Sequence, residues 1–174
     1  MRMRFTRCLG LSVFDDDTGD TMGALRGILL HPDTGAVEGF FVRGLGMFPG
    51  ADRFLGSLDI LHWGTRITVR SADVLTPIEE RVRLLPLLES GRPILGQSIV
   101  TRGGTALGRC ADVQFETEHY RLEWIFPRRF FRWGIPIPAS QILEVKRDAV
   151  IVRDPPAAEV EEDVALVPPM PEAA

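Results

Sequence analysis

The sequence predicts an all-β protein made of two copies of one small β unit. Residues 19–42 have the pattern of a strand, a tight turn and a second strand, and residues 104–126 repeat this pattern at a constant offset. Of the 174 residues, 45% are apolar and 25% are charged, a balance typical of a globular chain. We therefore expect two small β-barrels, a short connecting helix and a disordered acidic C-terminal tail.

The first unit is predicted over residues 1–75. Residues 2–8 alternate as an initial strand, and a short strand over 11–14 ends at an acidic turn over 15–20. An EF-hand loop requires glycine at its sixth position and glutamate at its twelfth, whereas an aspartate and Arg26 stand there. The turn is therefore expected to be solvated and not to bind calcium.

The central hairpin of this unit joins strands over residues 22–30 and 37–42. Its turn runs from His31 to Gly35: the proline fixes φ, the aspartate bonds its own backbone, and the glycine supplies a positive φ. Short strands over 58–62 and 66–70 then close the unit.

A long connection over residues 44–52 follows the hairpin and carries Met47 and Phe48. If these two side chains are exposed, they form an apolar contact tip for a partner. The alternative is that they fold back over the mouth of the barrel. The sequence leaves both interpretations open.

A connector over residues 76–93 has the signals of a helix start. Thr76 is a suitable N-cap, Pro77 suits the first helical position, and Glu79 can complete a capping box. Pro86 should end or kink this helix, because its nitrogen carries no hydrogen to donate.

The second unit is predicted over residues 94–154, because glycines and apolar positions recur there at nearly constant offsets. Gly19 is matched by Gly104 at an offset of 85, and Val69 near the end of the first unit is matched by Val152 at an offset of 83. This internal repeat is the basis for expecting the two units to pack as a pseudo-dimer.

The glycine-led strands and polar turns of the repeat resemble the PRC-barrel family, which occurs in the photosynthetic reaction-centre H subunit and in a bacterial ribosome-maturation factor. The resemblance rests on Gly10, Gly19 and Gly23, on the turn from His31 to Gly35, and on the closing residues 135–138. It covers residues 8–75 and 94–154 and implies a non-enzymatic domain that binds protein or ribonucleoprotein partners. This chain departs from those relatives in having two PRC-like units, no membrane helix ahead of a barrel, and no glycine in the turn over 116–120.

The formal net charge of −4 is concentrated in the tail. Without its five acids, twenty basic side chains face nineteen acidic ones, which is too even for a dedicated nucleic-acid binder. Cys8 and Cys110 form no CxxC pair, so neither a zinc site nor a disulfide framework is indicated. A secretory signal and an apolar run of about 18 residues are both missing from the sequence, and we expect a cytoplasmic location.

The sequence carries no catalytic signature. His31, His62 and His119 are far apart, and no phosphate-binding glycine loop or nucleophile elbow is present. We therefore predict no enzymatic activity, no cofactor, no metal site and no small-molecule substrate.

The arginine-aromatic segment, residues 128–133, is the stretch that best suits a binding role. It consists of Arg128, Arg129, Phe130, Phe131, Arg132 and Trp133. If exposed, this combination of charge and ring surface suits a protein interface, RNA or an anionic membrane surface. The alternative is that a phenylalanine fills the barrel while the arginines pair with nearby acids.

The tail over residues 155–174 is rich in proline and alanine, with acids followed by the apolar residues 164–171. It is expected to be disordered by itself. Either it is an inert solubilising tail, or it is a docking peptide, and one option is that it folds back on the basic residues 128–132.

The leading functional hypothesis is a non-catalytic adaptor that binds a protein partner through residues 44–52 and the arginine-aromatic segment. One alternative is a ribosome- or RNA-associated maturation factor, and another is an accessory or assembly factor of a photosynthetic or other membrane complex. In the last case the chain would meet a membrane surface without spanning it. A ligand-binding or enzymatic barrel is the remaining class.

Overall fold

The computed structural model describes residues 1–44 and 52–155. These residues form two β-sheets with short helical segments, which confirms the prediction of a mostly β protein. The chain begins with strand β1 (Arg2–Arg4) and the short helix α1 (Phe5–Cys8).

Met47 and Phe48 lie outside the described residues, so the apolar contact tip that they would form stays a prediction.

The first sheet has seven strands, hydrogen-bonded in the order β6-β7-β2-β3-β4-β5-β8. They are β2 (Ser12–Asp15), β3 (Thr21–Leu30), β4 (Val37–Gly44), β5 (Arg53–Gly56), β6 (Ile60–Trp63), β7 (Ile67–Val69) and β8 (Leu75–Thr76). Strands β2 and β7 run parallel, and the other neighbours run antiparallel. The long hairpin of β3 and β4, which the sequence predicts over residues 22–30 and 37–42, lies in the middle of this sheet.

The second sheet has eight strands, and its main path is β12-β11-β10-β9-β15-β14. Its strands, besides β1, are β9 (Ser98–Thr101), β10 (Ala106–Glu116), β11 (Arg121–Arg129), β12 (Arg132–Trp133), β13 (Ile137–Pro138), β14 (Ile142–Val145) and β15 (Ala149–Val152). Strands β9 and β15 run parallel, as β2 and β7 do. Within the described part of the chain, neither sheet hydrogen-bonds the first strand of its path to the last. Strand pairing therefore does not close either sheet into a complete ring.

Equivalent hairpins of the two sheets share one register. Leu25 lies opposite Val42 in the first hairpin, and Cys110 lies opposite Pro127 in the second. Each member of the second pair follows its counterpart in the first pair by the same offset that relates Gly19 to Gly104. The repeat therefore reaches down to the pairing of individual residues.

The two hairpin turns differ in the side chain that caps them. In the first turn, Nδ1 of His31 accepts hydrogen bonds from the backbone N–H groups two and three residues ahead, at 3.2 and 3.4 Å. In the second, the carboxylate of Glu116 accepts the equivalent pair at 2.9 and 2.7 Å. The expectation that Asp33 bonds its own backbone is wrong, because its carboxylate accepts two hydrogen bonds from Arg92 at 2.7 and 2.8 Å.

Tyr120 occupies the left-handed turn position that Gly35 holds in the first copy, with φ of 52° against 68°. For a residue with a Cβ this conformation costs roughly 1–2 kcal/mol. The Tyr120 hydroxyl accepts a hydrogen bond from the indole N–H of Trp63 at 3.0 Å. The tyrosine that replaces the missing glycine therefore offsets part of its strain by joining the second turn to the first sheet.

The two sheets meet at equivalent residues of the repeat. The N–H of Val37 donates to the carbonyl of Tyr120 at 2.7 Å, and the N–H of Leu122 donates to the carbonyl of Gly35 at 2.8 Å. The repeat offset relates Val37 to Leu122 and Gly35 to Tyr120, so the two bonds exchange equivalent donors and acceptors. The contact is therefore isologous, as between the subunits of a twofold dimer.

One hydrophobic core spans both sheets. The rings of Phe40 and Trp63 from the first sheet lie 5.2 Å apart, and both contact Phe115 from the second sheet at 5.7 and 5.9 Å. Tilted and edge-to-face ring pairs at such distances are favourable beyond the area that they bury. Because a unit of this size has a small core of its own, the shared aromatic cluster adds stability that neither sheet has alone.

The N-terminal strand belongs to the second sheet, which corrects the expectation that it opens the first unit. Strand β1 pairs with β10, with Arg4 opposite Gln114. The predicted strand over 2–8 also ends at Arg4, because helix α1 follows it. Sheet membership therefore departs from the predicted boundary of a first unit over residues 1–75.

The connector contains less helix than the sequence suggests. Helix α2 (Leu85–Glu89) follows two 3₁₀ turns, Ile78–Glu80 and Val82–Leu84. Pro86 lies in the first turn of α2, where no N–H is needed, and so does not end a helix as expected. Thr76 caps no helix, since its hydroxyl accepts a hydrogen bond from Nε of Arg81 at 3.0 Å.

The acidic turn after β2 is only partly solvated. Asp15 is 5% exposed, and its carboxylate accepts hydrogen bonds from the N–H groups of Asp17, Thr18 and Ala72 at 2.9, 3.1 and 2.9 Å. The expectation of a solvated turn is therefore wrong for this residue, which ties the turn to the segment after β7.

Candidate functional site

The arginine-aromatic segment forms a tight β-hairpin at one edge of the second sheet. Strand β11 runs to Arg129, and β12 returns beside it with Arg129 opposite Arg132 and Arg128 opposite Trp133. Phe130 and Phe131 are therefore the two residues of the turn. The sequence identifies this segment as a binding candidate. Strand pairing arranges its six residues as three successive pairs: the two phenylalanines at the turn, then Arg129 with Arg132, then Arg128 with Trp133.

Phe130 and Phe131 point into solvent, with 85% and 90% of their surface exposed. The alternative that one of them fills the barrel is wrong, since Phe115 and Ile125 occupy the core of this sheet. Exposed singly, a phenylalanine needs no explanation, but two adjacent ones at the tip of a hairpin form a projecting apolar surface.

The turn is strained at its first residue. Phe130 has φ of 52°, which is the left-handed region. Two-residue hairpins with a positive φ at this position usually carry glycine there, because a side chain costs roughly 1–2 kcal/mol. A bulky aromatic residue kept in this conformation and left in solvent suggests that its ring has a role outside the fold.

Arginines are stacked behind the tip in two rows. Arg129 and Arg132 face each other directly, and Arg128 lies between Trp133 on one side and Arg109 of β10 on the other. Like charges opposite each other on neighbouring strands are destabilising. Over residues 1–44 and 52–155, none of these four arginines forms an ion pair, so the alternative that local acids neutralise them is wrong there.

The base of the hairpin is braced by stacked guanidinium groups. Cζ of Arg4 lies 4.0 Å from the ring centroid of Phe126 and 5.3 Å from that of Trp133, and Cζ of Arg128 lies 5.4 Å from that of Trp133. Such cation–π contacts stabilise the ring orientation by about 0.5–1 kcal/mol each at exposed sites. Trp133 remains 52% exposed despite them.

Arg4 is in turn held by Asp112, a fully buried carboxylate in β10. Its oxygens accept hydrogen bonds from Nε of Arg4 at 2.8 Å, from the N–H and hydroxyl of Thr6 at 3.0 and 2.6 Å, and from the N–H of Val113 at 2.9 Å. The three bonds from Arg4 and Thr6 attach β1 and α1 to the second sheet, and the bond from Val113 lies within β10. They also fix the guanidinium that supports the hairpin.

Arg4, Arg109 and Asp112 support the site but are missed at the level of sequence. Arg4 and Arg109 are distant in the chain and meet the hairpin only through strand pairing. Asp112 has a visible signal, because it is a charged residue inside a predicted strand, at the position that corresponds to Gly27 in the repeat. Buried acids of this kind are retained only when donors surround them.

Both cysteines are buried, and burial raises the pKa of Cys8 and of Cys110 to about 12. Because the thiolate is the reactive form, we expect neither thiol to react with an aromatic disulfide reagent in the folded protein at pH 8. Both should react after unfolding in urea, which a colorimetric thiol titration measures. Reaction of either thiol in the folded protein at the rate of free cysteine would contradict this assignment.

A small acidic cluster lies at the second hairpin turn. Glu116, Glu118 and His119 place donor atoms within 4.8 Å of one another. The Glu116 carboxylate already accepts two backbone hydrogen bonds of that turn. The cluster is therefore explained by turn capping, and we assign no metal to it.

Comparison with models of known protein families gives no match for this chain, and no curated protein matches it either. Among the helices that the structure describes, none has the length and the apolar character needed to cross a membrane. The functional proposal therefore rests on the arginine-aromatic segment itself.

Proposed function

We propose that the protein is a non-catalytic docking module that binds an anionic membrane surface through the arginine-aromatic segment. The observation that carries the proposal is the pair of exposed phenylalanines at the hairpin tip, with three arginines behind it that have no acidic partner in the described ranges. A protein partner, which the sequence favours, and RNA are alternative outcomes of the test below.

The order of the side chains along the hairpin matches the order of layers in a lipid leaflet. Phe130 and Phe131 come first, the Arg129–Arg132 row lies one residue behind, and the Arg128–Trp133 row lies two behind. Each residue advances a strand by about 3.4 Å. The guanidinium groups therefore lie at phosphate depth when the phenyl rings enter the acyl region, and tryptophan favours the same interface.

The expected affinity needs both classes of side chain. Burying the two phenyl rings contributes about 1.5–3 kcal/mol each, and each arginine beside an anionic leaflet contributes about 1 kcal/mol. Together they give about 6–9 kcal/mol, which corresponds to binding around the micromolar range. The arginines alone give about 3 kcal/mol, which is millimolar binding, and the rings alone give about 3–6 kcal/mol, which is roughly 10- to 1,000-fold weaker than binding through the rings and arginines together. The segment should therefore discriminate anionic from neutral membranes.

The shape of the tip favours a bilayer over a protein partner. Two phenylalanines bury at most about 300–500 Å² between them, whereas a stable protein interface buries about 800 Å² on each partner. A protein would need a matching pocket and further contacts around the hairpin. A bilayer accepts a projecting apolar tip of any shape.

We infer that the two sheets are tandem PRC-like barrel units, on the basis of the resemblance over residues 8–75 and 94–154. The shared registers and the exchanged hydrogen bonds between the sheets support a common unit for both copies. In this arrangement the second unit carries the docking hairpin. Burial of both thiols, which raises their pKa to about 12, argues against a cysteine nucleophile.

The proposal is tested by co-sedimentation of the full chain with two kinds of vesicle, phosphatidylcholine alone and phosphatidylcholine with about one third phosphatidylserine. We expect binding to the anionic vesicles that weakens with salt. Replacing Arg128, Arg129 and Arg132 by Gln should weaken it about 100-fold, at about 1 kcal/mol per arginine. The matched control replaces three exposed arginines in or next to strands of the first sheet, Arg26, Arg53 and Arg70, and should bind as the native chain does.

The turn offers a variant that separates stability from binding. Phe130→Gly removes one ring and relieves the left-handed strain, so the free energy of unfolding should stay the same or rise by up to about 1 kcal/mol. Binding to anionic vesicles should fall roughly 10- to 100-fold for the lost ring. Leu58→Gly, at a residue that is 88% exposed in the 3₁₀ turn between β5 and β6, should leave binding unchanged.

Three outcomes overturn the membrane assignment. Equal binding to neutral and anionic vesicles would show that the arginines do not contribute to membrane binding. Unchanged binding of Phe130→Gly would show that the phenyl ring at the tip does not contribute. If no vesicle binds the chain while the arginine variant loses a protein or an RNA recovered with the native chain, the segment is a docking site for that class instead.

A further inference from the structure

A shallow apolar groove of about 370 Å³ lies beside the base of the hairpin. Its walls come from the start of β10, from the residue before Arg128, from the segment after Trp133 and from the end of β15. They include Leu107, Pro127, Ile135, Pro136, Arg153 and Pro155. Its lining includes the residues on both sides of the arginine-aromatic segment, Pro127 and Gly134, so the groove lies next to that segment. Ile135 in its wall is 85% exposed.

The described chain ends in this groove, because Pro155 is both its last described residue and part of the wall. Nineteen residues follow in the sequence. After the first three of them come four acids within five positions, Glu159, Glu161, Glu162 and Asp163, and then the apolar residues 164–167. An acidic run followed by apolar residues is complementary to arginines beside an apolar groove.

Exposed arginines beside the groove are available to such a partner. Arg109 and Arg128 face each other across β10 and β11, and Arg153 lines the groove itself. None of the three has an ion pair within residues 1–44 and 52–155. The first 155 residues are nearly neutral, with twenty basic and nineteen acidic side chains, whereas the nineteen that follow carry five acids and no base.

We propose that residues 159–167 bind in cis to the groove and to the adjacent arginines, and so compete with the anionic surface for the arginine-aromatic segment. The competition rests on the proposed function, whereas the contact itself does not. An extended chain spans about 3.3 Å per residue, so the four acids, four to eight residues beyond Pro155, reach about 13–26 Å. This range covers the few strands that separate the groove from the arginine rows, since neighbouring strands lie about 4.8 Å apart.

Because residues 159–167 are tethered to the groove, a weak contact is sufficient to keep the groove occupied. A segment joined this closely has an effective concentration in the millimolar range. A contact with an intrinsic dissociation constant of about 0.1–1 mM is then occupied half of the time or more. Removing it should strengthen binding to anionic vesicles about two- to ten-fold.

The contact is tested without vesicles by comparing amide NMR spectra of full-length chains. One variant replaces Glu159, Glu161 and Glu162 by Gln and Asp163 by Asn, and a second replaces Leu166 and Val167 by Ser. We expect both to shift the amides of Leu107, Ile135 and Arg153 in the same direction, at shifts independent of protein concentration. Unchanged amide positions of Leu107, Ile135 and Arg153 in both variants would overturn the proposal. Shifts that depend on protein concentration would show that the segment binds a second copy of the chain instead.

The competition is tested with the same chains on the anionic vesicles. The Leu166→Ser/Val167→Ser variant keeps every charge, so a two- to ten-fold gain in its binding reports release of the groove and excludes simple repulsion of the acids by the membrane. A gain confined to the charge variant would overturn the competition. If no chain binds vesicles but the amide shifts appear, the membrane function fails and the contact stands.

Discussion

Asp112→Ala should lower the free energy of unfolding by about 2–4 kcal/mol, measured by urea denaturation followed by circular dichroism. Hydrogen bonds to a charged group contribute about 1.5–3 kcal/mol each, and Asp112 accepts four of them in a fully buried position. The loss is smaller than their sum because Arg4, which is partly exposed, can return to water. Thr6 is exposed and can also return to water, whereas the N–H of Val113 stays buried without this partner.

The matched control for this prediction is Asp16→Ala, which makes the same change of charge at an exposed position and should alter stability by less than about 0.5 kcal/mol. Asp112→Ala should also release Arg4 from its place against Trp133, and a red shift of the native fluorescence would report this. A loss of stability no greater than that of the control would show that β1 and α1 are held by other contacts.

Gly108→Ala should be at least as damaging to the free energy of unfolding in the same measurement. Gly108 has φ of 123°, and a Cβ there would lie 2.7 Å from the carbonyl oxygen of Arg128. Backbone strain of this kind costs about 1–3 kcal/mol, and overpacking adds about 1–3 kcal/mol. Since the displaced strand leads into the hairpin, vesicle binding should fall as well.

The repeat supplies the matched variants for this prediction. A Cβ at Gly23, the equivalent residue of the first copy, would collide with the carbonyl oxygen of Arg43 but without a positive φ, so Gly23→Ala should cost about 1–3 kcal/mol. Gly44→Ala meets nothing within 4 Å and should be neutral. The expected order, from the most to the least destabilising variant, is therefore Gly108, Gly23 and Gly44. Any other order would contradict the account in which the glycine of each copy packs against the carbonyl oxygen of the facing strand.

The hairpins were predictable because their signals are local. The turn from His31 to Gly35 carries its proline and glycine close together, and the constant offset of the repeat transfers its register to the second copy. The hydrogen-bond partner of Asp33 was not predictable, because only the fold brings Arg92 to its carboxylate and His31 caps the turn instead. Local chemistry thus determined the turn but not the assignment of its side chains.

The placement of the N-terminal strand could not be derived from alternation along the chain. Residues 2–4 have no preference for one sheet over the other, and the choice depends on Asp112, which lies more than one hundred residues away. The prediction of a helix that starts at the beginning of the connector was wrong for a related reason. Leu84 is buried and Val82 is exposed, so tertiary packing set the local backbone there and not the capping signals.

The candidate site was predictable in composition but not in geometry. The sequence shows three arginines and three aromatic residues within 128–133, and it leaves open whether a phenylalanine enters the core. The outcome depends on the strand register, which places Phe130 and Phe131 at the turn and fills the core from other strands. Arg109 joins the site through the same register, which no local pattern contains.

The most direct test of the membrane proposal is the depth of the hairpin tip in a bilayer. Phe131→Cys introduces one reactive thiol for an environment-sensitive fluorophore, because Cys8 and Cys110 are buried. Leu58→Cys gives a matched label at an exposed apolar position in the 3₁₀ turn between β5 and β6. With both proteins bound to anionic vesicles, we expect the label at position 131 to be quenched from the acyl chains and protected from aqueous iodide, while the label at position 58 stays open to iodide. Equal access of iodide to both labels on bound protein would contradict the proposal that this hairpin enters the membrane.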